Sequence, residues 1–94
     1  MSKDAAAAIN ACLSERLAQE RERRGVSKRS LAGLADIDRA TVKVIEKPDE
    51  NTTILNVIRY GLALKLDVGE ILSECLQPYL AQETTKPKPK PKKK

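Results

Sequence analysis

Residues 25–47 constrain the fold more than any other part of the chain, because they predict two short amphipathic helices joined by a tight turn. Ser27 and Asp38 each precede one helical pattern, and their side-chain oxygens can accept hydrogen bonds from the free backbone N–H groups of a helix start. The pattern therefore predicts helices over about 28–35 and 39–46. Its apolar positions are expected to face inward: Leu31, Ala32, Leu34, Ala35, Ile37, Val42 and Ile45.

The outward positions of the second helix suit contact with DNA bases. They are Arg39, Ala40, Lys43, Val44 and Lys47. Arg39 can donate two hydrogen bonds to guanine O6 and N7, and Lys43 can reach a guanine or a phosphate. Ala40 and Val44 can press against thymine methyl groups. The alternative for this face is an ordinary solvated helix surface. Contacts to phosphates, which would set the register on the duplex, are predicted for Lys28, Thr41, Lys47 and Thr53.

The same segment, GVSKRSLAGLADIDRATVKVIEK, resembles the Cro/C1 (xenobiotic-response-element) class of phage-repressor-like DNA-binding domains. LSERLAQERERRG before it is similar to the first helix of that family, and TILNVIRYGLALKLDVGEIL after it is similar to the fourth and fifth, so the resemblance covers about residues 13–72. It implies an all-α, compact five-helix, lambda-repressor-like domain with a partly buried ion pair between Arg21 and Glu46.

The resemblance also implies a function and partners. We expect a transcriptional regulator, most simply a repressor, that binds double-stranded DNA as a homodimer on a two-fold operator with half-sites about one helical turn apart. Small members of the family also resemble antitoxins, which would add a toxin as a protein partner. The competing interpretation is a protein-interaction module that keeps the fold without reading DNA. Asp49 and Glu50 favour it, since they would repel phosphate if they faced the duplex.

The remaining helices follow from apolar spacing and capping residues. The first is predicted over about residues 5–24, with left-handed Gly25 at its end. A fourth helix is predicted over about 54–65 after Thr53, and a fifth begins near residue 68 after Asp67. Pro78 should end or kink the fifth helix near residue 77. In the turn between the second and third helices, Asp36 stands where the family usually has glycine, and a left-handed conformation is expected there.

Apolar residues of the last two helices are assigned to the core and to a dimer interface. The inward positions of the fourth helix are predicted to be Ile54, Val57, Ile58, Gly61, Leu62 and Leu64, with Gly61 packed closely against a neighbour. The fifth helix carries a long stripe that includes Val68, Ile71 and Cys75. This stripe either packs only on the first helix or forms a homodimer contact through Leu72, Leu76, Tyr79 and Leu80.

The positive charge of the chain comes from its end. The net charge is +5, but residues 86–94 hold six lysines and no acid, which leaves residues 1–85 near −1. We expect one domain over residues 5–81, a frayed segment over 1–4 and a disordered Lys/Pro tail over 82–94. The tail is either a polycationic arm that contacts phosphates or a solubilising extension.

Other function classes are disfavoured by composition. The chain has no histidine and no nucleotide-binding glycine motif, so no catalytic residue, metal ligand or cofactor is expected. Cys12 and Cys75 are expected to be two buried, reduced thiols. No run of about 18 apolar residues indicates a membrane span, and no signal peptide is recognised. We therefore expect a cytoplasmic bacterial protein, associated with the nucleoid when it is bound to DNA.

Overall fold

In a computed structural model of the chain, residues 3–83 are described, and all of their regular structure is α-helical. The helices are α1 (Lys3–Arg23), α2 (Lys28–Ala35), α3 (Arg39–Glu46), α4 (Ile54–Leu64) and α5 (Val68–Glu83). The predicted all-α class with five helices is confirmed, and the bounds of α2 and α3 are those expected from the sequence. No helix within residues 3–83 is both long and apolar enough to cross a bilayer.

The predicted ends of the domain are shifted at both termini. Residues 3 and 4 belong to α1, so the frayed segment expected over residues 1–4 is wrong for those two. Residues 82 and 83 belong to α5 and not to a disordered segment. The rest of the predicted tail, residues 84–94, lies outside the described residues, as do residues 1 and 2.

The helices begin and end at residues that satisfy backbone groups locally. Ser27 Oγ accepts a hydrogen bond from the Ser30 N–H at 3.0 Å, and Thr53 Oγ1 accepts from the Asn56 N–H at 3.1 Å. Asp67 Oδ1 accepts from the Glu70 N–H at 3.0 Å, so the side-chain caps predicted at these three residues are confirmed.

Asp38 is the exception among the predicted caps. It occupies the N-cap position of α3 in an extended conformation, but its side chain makes no capping hydrogen bond. Its carbonyl oxygen still accepts from the Val42 N–H at 3.1 Å, so the helix starts where predicted without help from the carboxylate.

Three residues in the left-handed region end helices. Gly25 (φ 71°) and Asp36 (φ 59°) do so as predicted, and Asp36 directs its N–H back to the carbonyl oxygens of Ala32 and Gly33. Lys65 (φ 56°) closes α4 in the same way, although nothing in its side chain favours this conformation.

The core lies where α1, α2, α3 and α4 meet, and α5 packs against α1 and α4. Its largest fully buried side chains are Tyr60, Leu17, Leu31, Ile45 and Val42. Gly61 lies in α4 where a side chain at that position would collide with Val68 of α5. The predicted close packing at Gly61 is therefore confirmed.

Four apolar residues predicted to face inward are exposed. They are Leu34, Ile54, Ile58 and Leu62. The expected inward stripes were wider than the faces that α2 and α4 bury. A helix with neighbours on only part of its circumference buries a narrow stripe, and in α4 that stripe is Val57, Tyr60, Gly61 and Leu64.

Pro78 does not end α5, so the first of the two predicted effects, a helix end near residue 77, is wrong, and the predicted kink stays a prediction. The helix continues to Glu83. Proline removes the hydrogen bond that would reach the carbonyl of residue 74, and both Glu74 and Pro78 are exposed. Water can solvate that carbonyl, so the helix tolerates the lost bond at this position.

The two cysteines form a disulfide, so the predicted reduced thiols are wrong. Cys12 of α1 and Cys75 of α5 are 63 residues apart in the chain, and their Cα atoms are 5.9 Å apart. The contact depends on the side-by-side packing of α1 and α5, which no local pattern around either cysteine contains.

Candidate nucleic-acid interface

The outer face of α3 carries the residues predicted to read bases. Val42 and Ile45 are fully buried, so helical periodicity turns positions 39, 40, 43 and 44 away from the core. Arg39, Ala40 and Lys43 are exposed, and Val44 is half-buried. The predicted orientation of this face is thus confirmed, while its contact with DNA stays a prediction.

Residues of this face line an open groove of about 510 Å³ together with the start of α2. Its cationic side chains are Lys28, Lys43 and Lys47, and Ala40 and Val44 supply its apolar surface. Lys28 lies 15 residues before Lys43 in the chain, and the packing of α2 against α3 brings both side chains to this groove. Five residues of the two predicted contact classes therefore line this groove.

The positive charge at the groove is partly compensated. Glu46 and Glu50 also line it, and Lys47 Nζ lies 3.8 Å from Glu50 Oε2. Lys28, Arg39 and Lys43 form no ion pair with the side chains described at residues 4–81. These three cations are free to meet phosphate or a base edge, whereas Lys47 must first exchange its contact with Glu50.

The other predicted contact residues lie away from the groove. Arg39 is exposed at the first position of α3, and Thr41 is half-buried on the same helix. Thr53 is exposed at the start of α4, where its Oγ1 accepts from the Asn56 N–H. The structure therefore groups Lys28, Lys43 and Lys47 and leaves Arg39 and the two threonines outside the groove.

A buried ion pair fixes the end of α3 to α1. Arg21 Nε donates to Glu46 Oε2 at 2.7 Å, and the second guanidinium nitrogen donates to Glu46 Oε1 at 3.1 Å. The third nitrogen donates to the Val26 carbonyl at 2.8 Å. The predicted pair is confirmed, and its two-point geometry holds the C-terminal end of α3 in one orientation.

Tyr60 of α4 extends this ion pair into a three-helix network. Its hydroxyl lies 2.5 Å from Glu46 Oε2, to which it donates, and 3.0 Å from the Leu17 carbonyl oxygen. Burial and then the hydrogen bond to Glu46 raise the pKa of Tyr60 above its ordinary value. Hydrogen bonds to Glu46 raise the pKa of Arg21. Sequence reasoning missed Tyr60, because only the fold brings α4 to the far side of Glu46.

Two further polar contacts hold segments beside the candidate interface. Asn10 Nδ2 donates to the carbonyl oxygens of Pro48 and Glu50 at 3.3 and 3.0 Å, which ties the loop after α3 to α1. Arg24 donates to the Leu64 carbonyl at 2.8 Å. Neither residue shows a sequence signal for this role, since each contact spans about 40 residues of chain.

Glu20 of α1 holds a local cluster of charges. The hydrogen bond from Arg23 lowers the pKa of the Glu20 carboxyl group, and Arg24 adds to the effect. Two of the basic residues of the N-terminal half are therefore engaged with Glu20 rather than presented to a partner.

The predicted dimer residues lie along α5 with unequal exposure. Leu72, Leu76 and Tyr79 are half-buried, and Leu80 is 45% exposed. α5 packs on α1, as the alternative interpretation of its stripe requires. That packing leaves part of the stripe accessible, and the dimer stays a prediction.

Comparison of the chain with protein-family models, with curated proteins and with solved structures found no significant match.

Proposed function

We propose that this protein is a sequence-specific DNA-binding transcriptional regulator of the Cro/C1 type, with α3 in the major groove. One observation carries the proposal. Lys28 of α2 and Lys43 of α3 form no ion pair with the side chains described at residues 4–81, and they line one open groove with Ala40 and Val44. A helix with this mixture of cationic and apolar side chains matches the hydrogen-bond acceptors and thymine methyl groups of the major groove.

The rigid support of α3 also favours this function. Base readout requires that a few side chains keep a fixed position relative to the duplex. The contacts of Glu46 with Arg21 and Tyr60 hold the end of α3 against α1 and α4. A regulator of this kind would act as a homodimer at a two-fold operator and repress by blocking polymerase.

The second candidate is a protein-interaction module, including an antitoxin. Three apolar side chains of α4 favour it: Ile54, Leu55 and Leu62 are each more than half exposed. Glu50 in the groove also favours it, because this carboxylate opposes phosphate binding. A protein partner would bury the apolar residues, whereas DNA would not.

Arg39→Ala tests whether α3 reads bases. We expect a loss of about 1–3 kcal/mol in binding to the preferred operator and a relaxed preference at one base position. The operator is first selected from a pool of random DNA duplexes, and the DNA upstream of the protein's own gene is tested in parallel. Affinities are then measured by fluorescence anisotropy. Arg59→Ala is the matched control, since Arg59 is an exposed arginine on α4 and does not belong to the α3 face.

The outcomes separate the two candidates. Loss of preference at one position with Arg39→Ala, and little change with Arg59→Ala, supports base readout. Equal weakening on every duplex would make Arg39 a phosphate contact. If no duplex is bound better than competitor DNA at physiological salt, the regulator is refuted and the interaction module is favoured.

A further inference from the structure

A second groove lies on another part of the molecule, between α1, α4 and α5, and has a volume of about 440 Å³. Its floor is buried and includes Leu17, Ile45 and Val57. Its rim is exposed and includes Ala6 of α1 and Ile54 of α4. The groove is therefore open to solvent on one side and reaches the core on the other.

The floor also contains a buried polar group without a partner. Ser14 is 4% exposed, and its hydroxyl makes no hydrogen bond with the side chains described at residues 4–81 or with the described backbone. A buried hydroxyl without a partner is unfavourable, and a water molecule or a ligand that reaches it can supply the missing hydrogen bond. Asn10 lines the same groove, but its amide nitrogen already donates to the Pro48 and Glu50 carbonyl oxygens.

The lining defines the chemistry of a ligand. None of the described residues that line this groove carries a charge. A charged ligand would lose its hydration without gaining a partner of opposite charge, so the groove disfavours it. An apolar body would cover the aliphatic side chains, and the volume lies in the lower part of the range for small-molecule sites, about 300–1,000 Å³.

We propose that this groove is a binding site for a small uncharged molecule with an apolar body and one oxygen that pairs with the Ser14 hydroxyl. Medium-chain aliphatic alcohols and ketones belong to this class. Ile45 of α3 forms part of the floor, so the ligand would contact the helix whose other face is the candidate DNA interface. The site rests on the groove and Ser14 alone and does not depend on the proposed function.

The test is an NMR titration of the full-length ¹⁵N-labelled protein with 1-octanol, with octanoate at pH 7 as the charged counterpart. We expect saturable amide shifts at Ser14, Ile45 and Val57 with 1-octanol, and binding of octanoate at least tenfold weaker. Shifts spread without saturation over Leu34, Leu62 and Leu80, which are exposed elsewhere, would show nonspecific adsorption and overturn the proposal.

Two pairs of variants locate the ligand. Ser14→Ala should weaken 1-octanol binding about fivefold, which corresponds to one hydrogen bond, while Ser73→Ala on the exposed side of α5 should leave it unchanged. Ala6→Leu, which fills the rim, should weaken it at least tenfold, while Ala8→Leu, exposed on the same helix outside the groove, should not. Thermal unfolding of each variant confirms that it is folded.

The variants also give results that overturn the proposal. Unchanged affinity in both folded variants, Ser14→Ala and Ala6→Leu, would place the ligand elsewhere. Sedimentation at the NMR concentration tests whether a second copy of the chain occupies the groove instead. If the protein is a dimer and the amide signals of Ser14, Ile45 and Val57 shift on dilution, the second copy fills this groove and the ligand site is refuted.

Discussion

Reduction of the Cys12–Cys75 disulfide should remove a large part of the stability of this protein. The bond closes a loop over a sequence separation of 63 residues between α1 and α5. In the chain-entropy description, a cross-link over such a loop stabilises the folded state by about 4 kcal/mol, because it restricts the unfolded chain. Typical domains have about 5–15 kcal/mol in total, so the reduced protein should be marginal.

The experiment compares oxidised and reduced protein in urea, with helicity followed by circular dichroism. Oxidised and reduced wild type have the same side chains, so no cavity left by a substitution complicates the difference. We expect the midpoint to fall on reduction and the dependence on urea to steepen, because the unfolded chain without the cross-link exposes more surface. The double variant Cys12→Ala/Cys75→Ala should have a urea midpoint close to that of the reduced protein, and the reductant should not change it.

Two results would refute this reasoning. A free-thiol assay that finds two reactive thiols in unreduced, denatured protein would show that the bond does not form. Equal stability of the oxidised and reduced forms, within about 0.5 kcal/mol, would show that it does not stabilise the fold. A smaller loss than predicted, about 1–2 kcal/mol, would indicate that the denatured state is compact without the cross-link.

Three further perturbations test the packing, the buried hydroxyl and the tail. Because the folded-state pKa of Tyr60 is raised, its contribution is fully present below the unfolded value near 10 and is lost as pH rises above it, by up to about 1.4 kcal/mol per pH unit. Urea midpoints between pH 7 and 11 should therefore fall more steeply for wild type than for Tyr60→Phe, and parallel curves would contradict this. Gly61→Ala should destabilise by about 1–3 kcal/mol through its collision with Val68, whereas Gly33→Ala, with open space around it, should stabilise by up to about 1 kcal/mol. Thermal unfolding measures both glycine variants, and equal effects would contradict the packing at α4 and α5. Deletion of residues 86–94 should reduce the slope of log affinity against log salt by up to about 5 without changing sequence preference, if the six lysines contact phosphates. An unchanged slope in duplex binding at several salt concentrations would exclude the arm.

Local features of the fold could be predicted from the sequence because they depend on residues three or four positions apart. The side chains of Ser27 and Thr53 cap their helices by accepting a hydrogen bond from the backbone N–H three residues later in the chain. Asp36 takes the left-handed conformation at the end of α2, where a short polar side chain tolerates it. The outward face of α3 follows in the same way from the burial of Val42 and Ile45.

The Arg21–Glu46 pair was predicted for a different reason. Its members are 25 residues apart, so no local pattern relates them, and the expectation came from the family resemblance. The structure adds Tyr60 as a third member. A tyrosine on a predicted helix has no pattern that distinguishes a core position from one that completes a polar network.

Only the tertiary structure decided which residues face solvent and which distant residues meet. Ile54 and Leu62 have the spacing of core residues, but α4 has neighbours on one side only, so both remain exposed. Cys12 and Cys75 pair because α1 and α5 lie side by side. Helix periodicity follows from hydrogen bonds between residues close in sequence, so the local sequence predicts it. The number and direction of the helices that pack against a given helix depend on how the whole chain folds.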